Sequence, residues 1–589
     1  MNSSSTLPKH LQKYVVQQDY ARYTAEDQAA WRNILRRLHS FLSKNAHPVY
    51  AEGIKKSGIE LGRIPNIENM SEHLEKFGWR AVAVSGFIPP AAFMELQSLG
   101  VLPIACDMRT ISHLMYTPAP DIVHEAAGHA PILVDQEFAG YLKRYAKIAS
   151  NAIISAEDLE MYDAIRTLSD LKEHPQSTAA QIKKAEDRLT FVSKNISHVS
   201  EAALLGRMNW WTAEYGLFGK LESPKIFGAG LLSSIGESKT CLSSKVRKIP
   251  LSIECLDYSY DITEPQPQLF VTPDFATLTN VLEQFAQTMA FRTGGLSGLE
   301  KALAAKSVNT IELDSSLQIS GELEKIFLGR ILVGESEVAY LKFKGPVQLA
   351  YQGHELEGHS TRRHPDGFGS PLGLIAGAQK SLSRMTNAEL AHLGIKIGED
   401  CELRFNSGVV VKGHAQDILR TSERLVHIIR FTNTLVTYKD EVLFKPEWGE
   451  YDMAIGSKVT SVFGGPADRS QYPEGQSFVA KQVPKKIITD ELRSKFYIYQ
   501  LLSDMRLMRV SHDSHTLEKI STNLTNIFEL VRLNFADEWL LQLEIYELAL
   551  KYDLKIQTQL ALAELQKLKT KVPNLAETID DGVTLASLA

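Results

Sequence analysis

The sequence predicts a mainly α-helical N-terminal domain, followed by a β-rich module and a helical C-terminal region. Up to about residue 305, apolar residues recur mostly at helical spacing. Residues 306–484 instead contain short β-type runs, separated by clusters of Gly, Pro, Asn and Asp. From residue 485 to 589, Leu and Ile again repeat every three or four positions. Because 589 residues exceed the size of one typical core, we expect domains at 1–305, 306–484 and 485–589.

The composition is that of an ordinary globular protein. Hydrophobic residues make up 44% and charged residues 23% of the chain. The formal net charge of -6 leaves no basic footprint for nucleic acid. The four cysteines are scattered, which favours a reducing compartment. Since no secretory signal pattern and no apolar run of membrane length is found, we expect a cytoplasmic protein with neither nucleic-acid nor membrane partners.

The first elements follow from capping residues and apolar spacing. Residues 20–50 are predicted to be helical, with Thr24 as the N-cap. A short apolar run at 81–87 ends at two prolines, and a helix is expected over 91–99. Residues 120–150 are also expected to be helical, with a break at an internal proline.

Residues 150–205 differ from their surroundings because they are charged and poor in aromatic residues. We interpret them as a solvent-exposed helical insertion, a hairpin of two helices. A further helix with a buried face is predicted from Leu204 to Gly216. The glycine-rich stretch 228–236 that follows would let another element or a ligand approach its backbone closely.

The candidate chemistry begins with His124 and His129, which follow a proline-rich turn. Five positions place two side chains about 140° apart on an ideal α-helix, so the zinc-protease spacing is missed by one residue. The two histidines could still bind one metal ion if Gly128 lets the backbone depart from ideal α-helical geometry. Far downstream, Glu214 lies in an aromatic segment, where a buried carboxylate needs a cation or hydrogen bonds. Two histidines and one carboxylate leave one face of a metal open, as suits Fe(II) oxygen chemistry. The alternatives are ordinary helix histidines or a zinc hydrolase.

Two further residues are predicted to support such a site. Asp121 can cap the helix that carries the histidines, and Ser233 can orient a ligating imidazole from behind.

Three long motifs, in order between about Tyr20 and Arg292, carry a family resemblance. They read Tyr116-Thr-Pro-x-Pro-Asp-x-x-His-Glu-x-x-Gly-His, then Trp-x-Thr-x-Glu-Tyr-Gly ending at Gly216, then Gly-Ala-Gly-Leu-Leu-Ser-Ser-x-Gly-Glu from Gly228. The chain resembles the tetrahydropterin-dependent aromatic amino acid hydroxylases, and the resemblance implies that family's catalytic-domain fold.

The resemblance also implies roles for individual residues. His124, His129 and Glu214 correspond to the iron ligands, and Arg109 to the arginine that holds the substrate carboxylate. The other implied substrate-pocket and supporting positions are Thr117, Trp210, Tyr215, Ser233 and Ile262. The implied pterin-binding positions are Gly86, Phe87, Ile88, Pro90, Phe93 and Glu125.

The activity implied is hydroxylation of phenylalanine to tyrosine with O2, Fe(II) and tetrahydrobiopterin or a related reduced pterin. The bulk of Trp210 favours phenylalanine or tyrosine over indole, and the apolar Ile262 disfavours a tyrosine-type substrate. An isoleucine at 262 also resembles the tryptophan enzymes, so a tryptophan or tyrosine hydroxylase stays open. A catalytically inactive scaffold is the remaining alternative.

The C-terminal half contains a second His-Glu-x-x-x-His spelling at 354–359, with His364 beyond it. We interpret it as a polar surface loop, with a second metal site as the alternative, since it lacks the preceding Pro-Asp turn. The terminal helices are predicted to offer a surface for a homo-oligomer.

Overall fold

The computed structural model of the protein describes residues 7–86, 88–111, 114, 120–173, 177–261, 264–329, 338–421, 424–473, 489–508 and 514–588. Among these residues, no helix combines the length and apolar character needed to cross a lipid bilayer.

The N-terminal part is built mainly from helices. In chain order its first elements are α1 Lys9–Gln12, α2 Ala25–Asn45, α3 Tyr50–Lys56, α4 Ile67–Leu74, β1 Arg80–Val84, α5 Pro90–Ser98, β2 Val101–Ala105 and α6 Gln136–Ala149. As predicted, Thr24 caps α2, and it forms a reciprocal capping box with Asp27. β1 and β2 pair in parallel, with Arg80 opposite Val101.

The predicted pair of helices in the charged segment is present. It consists of α7 Ala156–Glu173 and α8 Ala179–Lys194. The ion pair between Arg188 Nη2 and Asp163 Oδ2, at 2.8 Å, joins the two helices near their middles, and the Ser197 N–H donates to Glu157 Oε2 at 2.8 Å across their open ends. The hairpin therefore leaves and re-enters the domain at neighbouring points.

The rest of the N-terminal part returns to helices and a small sheet. The elements are α9 Glu201–Asn209, β3 Leu217–Phe218, β4 Lys225–Ile226, α10 Ala229–Leu232, α11 Ile235–Thr240, β5 Arg247–Pro250, β6 Gln268–Thr272, α12 Phe275–Ala286, α13 Ala290–Thr293 and α14 Gly295–Ala305. The sheet has the order β4-β3-β6-β5, and β3 and β5 both run parallel to β6.

Two antiparallel sheets form the β-rich module. Its strands are β7 Val308–Leu313, β8 Leu317–Leu328, β9 Val338–Tyr351, β10 His354–Glu355, β11 Gly367–Pro371, β12 Asp400–Arg404, β13 Val409–Arg420, β14 Val426–Tyr438, β15 Glu441–Phe444, β16 Tyr451–Ala454 and β17 Val459–Gly464. One short helix, α15 Asn387–His392, interrupts them. The first sheet has the order β10-β9-β8-β7-β17, with β11 on β9, and the second has the order β12-β13-β14-β15, with β16 on β14. Apolar side chains of both sheets share one core.

The C-terminal region is helical, as its apolar spacing predicts. It contains α16 Asp490–Leu507, α17 Ser514–Asn534, α18 Trp539–Lys551, α19 Lys555–Lys571 and α20 Ala576–Leu588. Its buried residues, such as Leu502 and Ile545, belong to the same apolar cluster as Trp31 and Leu35 of α2. These helices therefore pack directly on the N-terminal domain.

Candidate metal centre

His124 and His129 lie on a π-helical segment, Val123–His129. In a π-helix the backbone bonds from residue i to i+5, so side chains five positions apart lie on one face. The two imidazole centroids are 5.1 Å apart. The separation of about 140° expected for these two side chains on an ideal α-helix is wrong, because the segment is π-helical. The five-residue spacing suits the backbone that the chain adopts.

Glu214 ends a second π-helical segment, Trp210–Glu214, which continues directly from α9. The Tyr215 N–H donates to the Trp210 carbonyl at 2.8 Å, a bond of the same five-residue span. This turn directs the carboxylate toward the two histidines. Glu214 Oε2 lies 3.4 Å from His124 Nε2, and Glu214 Oε1 lies 3.4 Å from His129 Nε2.

The distances fit a metal ion. The three ligand atoms all lie within 4.8 Å of one another. A metal about 2.1 Å from each donor holds two donors roughly 3.0–3.4 Å apart, close to both carboxylate–imidazole distances. Two imidazole nitrogens and a carboxylate suit Fe(II) or Zn(II), and three protein donors leave coordination positions open.

A serine hydroxyl fixes the orientation of His124. Ser233 Oγ donates to the Ala229 carbonyl at 2.8 Å and lies 3.1 Å from His124 Nδ1. Because the hydroxyl proton is directed at the carbonyl, the oxygen accepts from Nδ1–H. The tautomer that results leaves the lone pair of Nε2 facing Glu214, which is the form that a metal requires.

Arg109 and Asp121 form a buried ion pair beneath the first π-helix. Arg109 donates to both carboxylate oxygens of Asp121, from Nε at 2.8 Å and from Nη2 at 2.7 Å. Asp121 also accepts the backbone N–H of His124 at 3.0 Å. Arg109 Nη1 donates to the Ser233 carbonyl at 3.3 Å. The pair therefore joins the His124 segment to the Ser233 segment.

The charges in the site attract a cation. Burial disfavours the charged form of Glu214, but His129 and His124 outweigh that effect and lower the pKa of Glu214. Burial likewise opposes charge on His129, yet Glu214 and Glu125 raise the pKa of His129. Burial lowers the pKa of His124 to about 4. Glu214 therefore favours positive charge between the two imidazoles.

Glu125 faces the same space from one side. Its Oε2 lies 3.9 Å from His129 Nε2 and has no hydrogen-bond partner among the described residues. Burial, with Glu214 and Asp121 adding to it, raises the pKa of Glu125 to about 8. A buried carboxyl group without a partner is costly, so this group is available to a ligand beside the histidines.

Aromatic rings form one wall next to Glu214. Trp210 is stacked between Tyr215, at a centroid distance of 4.6 Å, and Tyr260, at 4.3 Å. The Tyr215 hydroxyl donates to Glu237 Oε2 at 3.0 Å. The stack holds the indole in one orientation.

Two glycines allow the ligand-bearing segments to meet. A Cβ on Gly128 would lie 2.7 Å from the Ala229 carbonyl oxygen, and one on Gly228 would lie 2.4 Å from the Glu214 carbonyl oxygen. The close backbone approach predicted for 228–236 is therefore present. It brings Ser233 against the first π-helix.

The residues expected to bind a pterin, apart from Glu125, lie in the stretch from the end of β1 to the first turn of α5. Gly86 has a positive φ of 62°, and its N–H donates to Asp107 Oδ2 at 3.3 Å. The Asp107 carbonyl accepts the N–H of Ile122, just before the first π-helix. Asp107 therefore holds this loop beside the histidine segment.

The remaining predicted positions have different surroundings. Ile88 is buried in a small apolar cluster, with Phe93 packed on its edge. Pro90 is exposed and begins α5. The predicted positions Phe87, Thr117 and Ile262 lie outside the described residues.

Three residues of the site were not singled out from the sequence. Tyr260 stacks on Trp210, Glu237 accepts from Tyr215, and Asn209 Nδ2 lies 3.5 Å from Glu214 Oε1. Asn209 and Glu237 stand inside or beside the motifs quoted above, so those motifs could have indicated them. Nothing local indicates that Tyr260 reaches Trp210.

Comparisons with known proteins identify a family whose model covers the segments of this site. The family model described as biopterin-dependent aromatic amino acid hydroxylase matches residues 10–161 and 187–296. The unmatched residues between them, 162–186, lie in the hairpin of α7 and α8. The outer part of the hairpin, residues 162–186, is thus additional to the family pattern.

Relatives were also found among curated proteins and solved structures. Phenylalanine-4-hydroxylase of Mesorhizobium japonicum is 30% identical over 46% of this chain and 83% of its own. The Chromobacterium violaceum enzyme of the same name is 27% identical, over 45% and 79%. A crystal structure of the C. violaceum enzyme, with iron(III) and 7,8-dihydrobiopterin, covers 46% of this chain and 85% of that one, with 26% identity and a TM-score of 0.37.

The match to the M. japonicum enzyme spans most of that protein, and the residues that the family model matches include His124, His129 and Glu214. The chain belongs to the biopterin-dependent aromatic amino acid hydroxylases.

Proposed function

We propose that this protein is a phenylalanine 4-monooxygenase that uses Fe(II), tetrahydrobiopterin or a related reduced pterin, and O2. The observation that carries the proposal is the convergence of His124, His129 and Glu214 in a buried site with open coordination positions. The relatives named phenylalanine-4-hydroxylase support the choice of reaction.

In this proposal His124, His129 and Glu214 bind the iron. When bound, iron and reduced pterin supply dioxygen activation and the electrons for ring hydroxylation. The protein supplies orientation: Ser233 sets the tautomer of His124, and the π-helical turns set the positions of all three ligands. The buried surroundings exclude water from the reacting centre.

Arg109 is proposed to hold the carboxylate of the amino acid. Three of its five N–H groups bond to Asp121 and to the Ser233 carbonyl, and among the described residues the other two have no partner. A planar guanidinium fixed by Asp121 is already oriented for a carboxylate. Asp121 is thus proposed to position both the arginine and, through its bond to the His124 N–H, the metal ligand.

The aromatic wall is proposed to hold the substrate ring. Trp210 provides the edge of its indole ring, because Tyr215 and Tyr260 stack on its faces and fix its orientation. Thr117 and Ile262 complete the proposed set. A pocket with an immobile indole wall leaves less room for a substrate indole than for a phenyl ring, so phenylalanine is preferred over tryptophan.

The proposed pterin site combines Gly86, Phe87, Ile88, Pro90 and Phe93 with Glu125. The Glu125 carboxyl group, with no partner for its Oε2 among the described residues, is suited to accept from, or donate to, the polar edge of a pterin ring. Burial raises the pKa of Glu125, which favours the protonated carboxyl group.

The test is a product assay with phenylalanine, tyrosine and tryptophan in parallel, using purified full-length protein with Fe(II) and tetrahydrobiopterin. We expect tyrosine from phenylalanine as the main product. Glu214→Gln should abolish it, whereas Glu222→Gln, an exposed control, should not. Main activity on tryptophan or tyrosine would overturn the substrate assignment, and no hydroxylated product from any of the three would refute the proposal.

Two wider predictions remain proposals. A cytoplasmic location agrees with four free cysteines, Cys106, Cys241, Cys255 and Cys401. A homo-oligomer through the C-terminal helices agrees with apolar side chains that are exposed on α17 and α19, such as Leu533 and Ile556.

A further inference from the structure

A second cluster of potential metal ligands lies in the β-rich module. His359 and His364 stand in the connection between β10 and β11, and Asp452 stands on β16 of the second sheet. Asp452 Oδ2 lies 3.8 Å from His359 Nδ1 and 3.7 Å from His364 Nε2. The three ligand atoms all lie within 4.8 Å of one another.

The segment is not the polar surface loop expected from its sequence. His359 is 3% exposed and Asp452 is 3% exposed. The backbone explains the burial, because Leu349 N–H and Val347 N–H of β9 donate to the carbonyls of His359 and His364. The segment is therefore held against the sheet edge, with both imidazoles directed inward.

The imidazole nitrogens that face Asp452 are unsatisfied. His359 Nδ1 and His364 Nε2 are both buried, and neither has a hydrogen-bond partner among the described residues. Leaving a buried polar atom unpaired costs about 1–3 kcal/mol, so two such atoms directed at one space indicate a missing ligand.

The carboxylate is held in place by charged neighbours. Arg430 Nε donates to Asp452 Oδ1 at 2.7 Å, and Arg363 Nε donates to Oδ2 at 2.9 Å. Glu450 forms ion pairs with both arginines, so the four charged groups balance. Ligating carboxylates are commonly oriented by such outer hydrogen bonds.

We propose that His359, His364 and Asp452 bind one divalent transition-metal ion of the zinc class, separate from the proposed iron centre. Two imidazole nitrogens and one carboxylate oxygen are donors that zinc accepts, usually in tetrahedral geometry. The two distances from Asp452 to the imidazole nitrogens exceed the roughly 3.4 Å of a tetrahedral site by a few tenths of an ångström, which side-chain rotation supplies. The ion would tie the 356–364 segment to β16 and so join the two sheets.

The experiment removes the proposed iron site first. Full-length protein carrying His129→Ala and Glu214→Gln is loaded with Zn²⁺, dialysed and analysed for metal, and Co²⁺ is used as a spectroscopic probe. We expect one retained ion per chain and the visible absorption bands of cobalt bound to nitrogen and oxygen. Adding His359→Asn and His364→Gln should abolish both, while adding His354→Asn, an exposed histidine on β10, should change neither.

A second measurement guards against misfolding of the quadruple variant. Zn²⁺ should raise the thermal unfolding midpoint of the protein that lacks only the iron site, because a ligand that binds the folded state stabilises it. No retained metal in that protein, or equal retention after His359 and His364 are replaced, would overturn the proposal. Since two of the three proposed iron ligands are replaced in these variants, the outcome is independent of the hydroxylase activity.

Discussion

At the scale of single residues, the hydroxyl of Ser233 determines which nitrogen of His124 faces Glu214. Two hydrogen bonds in series connect the Ala229 carbonyl, Ser233 Oγ and His124 Nδ1. They link His124 to a turn more than a hundred residues later in the sequence. The orientation of the ligand is thus set by a contact between distant segments.

Ser233→Ala should weaken metal binding about tenfold to a hundredfold, since loss of an outer partner of a ligating histidine has effects of that size. Iron affinity measured by anaerobic titration tests this. Ser238→Ala is the matched control, because Ser238 is also buried on α11 and donates only to the Ile235 carbonyl. Equal losses in the two variants would argue against a special role for Ser233.

The identities of the central residues could be predicted from the sequence, because the residue types and the motifs around His124, His129 and Glu214 are informative. The buried group of His359, His364 and Asp452 could not. Asp452 is far from the histidines in sequence, and only the pairing of β16 with β14 and of the loop with β9 brings them together.

At the scale of elements, the two π-helical segments bring together the three residues of the proposed iron site. Each adds one residue per turn to the α-helical pattern and so shifts the side-chain directions. Helix capping at Thr24 is a local signal and was predicted correctly. A π-helical turn depends on tertiary contacts, here the approach of α10 at Gly128, and no local signal indicates it.

Gly128→Ala tests that approach. The new methyl group would lie 2.7 Å from the Ala229 carbonyl oxygen, so α10 must move and Ser233 must move with it. We expect a loss of about 1–3 kcal/mol in folding stability, as is typical of overpacking, together with weaker iron binding. Thermal unfolding and iron titration measure the two effects.

Gly140→Ala on α6 is the comparison, because an added Cβ there meets nothing within 4 Å. In a helix interior alanine should be neutral or stabilising by about 0.5–1 kcal/mol. Normal iron affinity in Gly128→Ala would show that the contact is not needed for the site.

At the scale of the whole molecule, buried charges connect the C-terminal helices to the N-terminal domain. Glu544 on α18 accepts from Arg32 Nη2 of α2 at 2.7 Å and from Arg506 Nη2 of α16 at 2.9 Å. Glu544 and Arg32 are almost fully buried. Periodicity predicted that these helices have an apolar face, but it does not specify which surface that face contacts.

Glu544→Gln should destabilise the C-terminal helices by about 3–5 kcal/mol at pH 7, because Arg32 keeps a buried charge without its counter-ion. Hydrogen exchange of the α18 amides would report the loss. Glu60→Gln removes an exposed pair with Arg63 and should cost less than about 1 kcal/mol.

The difference in the free energy of unfolding between wild type and Glu544→Gln should also depend on pH. Burial raises the pKa of Glu544, but Arg32 and Arg506 outweigh it, so the folded-state pKa is lowered from 4.5. A lowered pKa gives stability that is complete above about pH 4.5 and is lost as pH falls through the folded-state pKa. This difference in unfolding free energy should be constant from pH 7 to 5 and should decrease below pH 5. A gap that already closes between pH 7 and 5 would contradict this assignment.

The single apolar cluster that runs from α2 to α20 bears on how this enzyme can be handled. The residues that match the family model, up to residue 296, are not expected to fold stably without the C-terminal helices. Truncating the chain before α16 would remove the helices that pack on α2 and would expose a large apolar surface, which favours aggregation. We therefore expect the catalytic domain to need the C-terminal helices in order to remain folded and monodisperse.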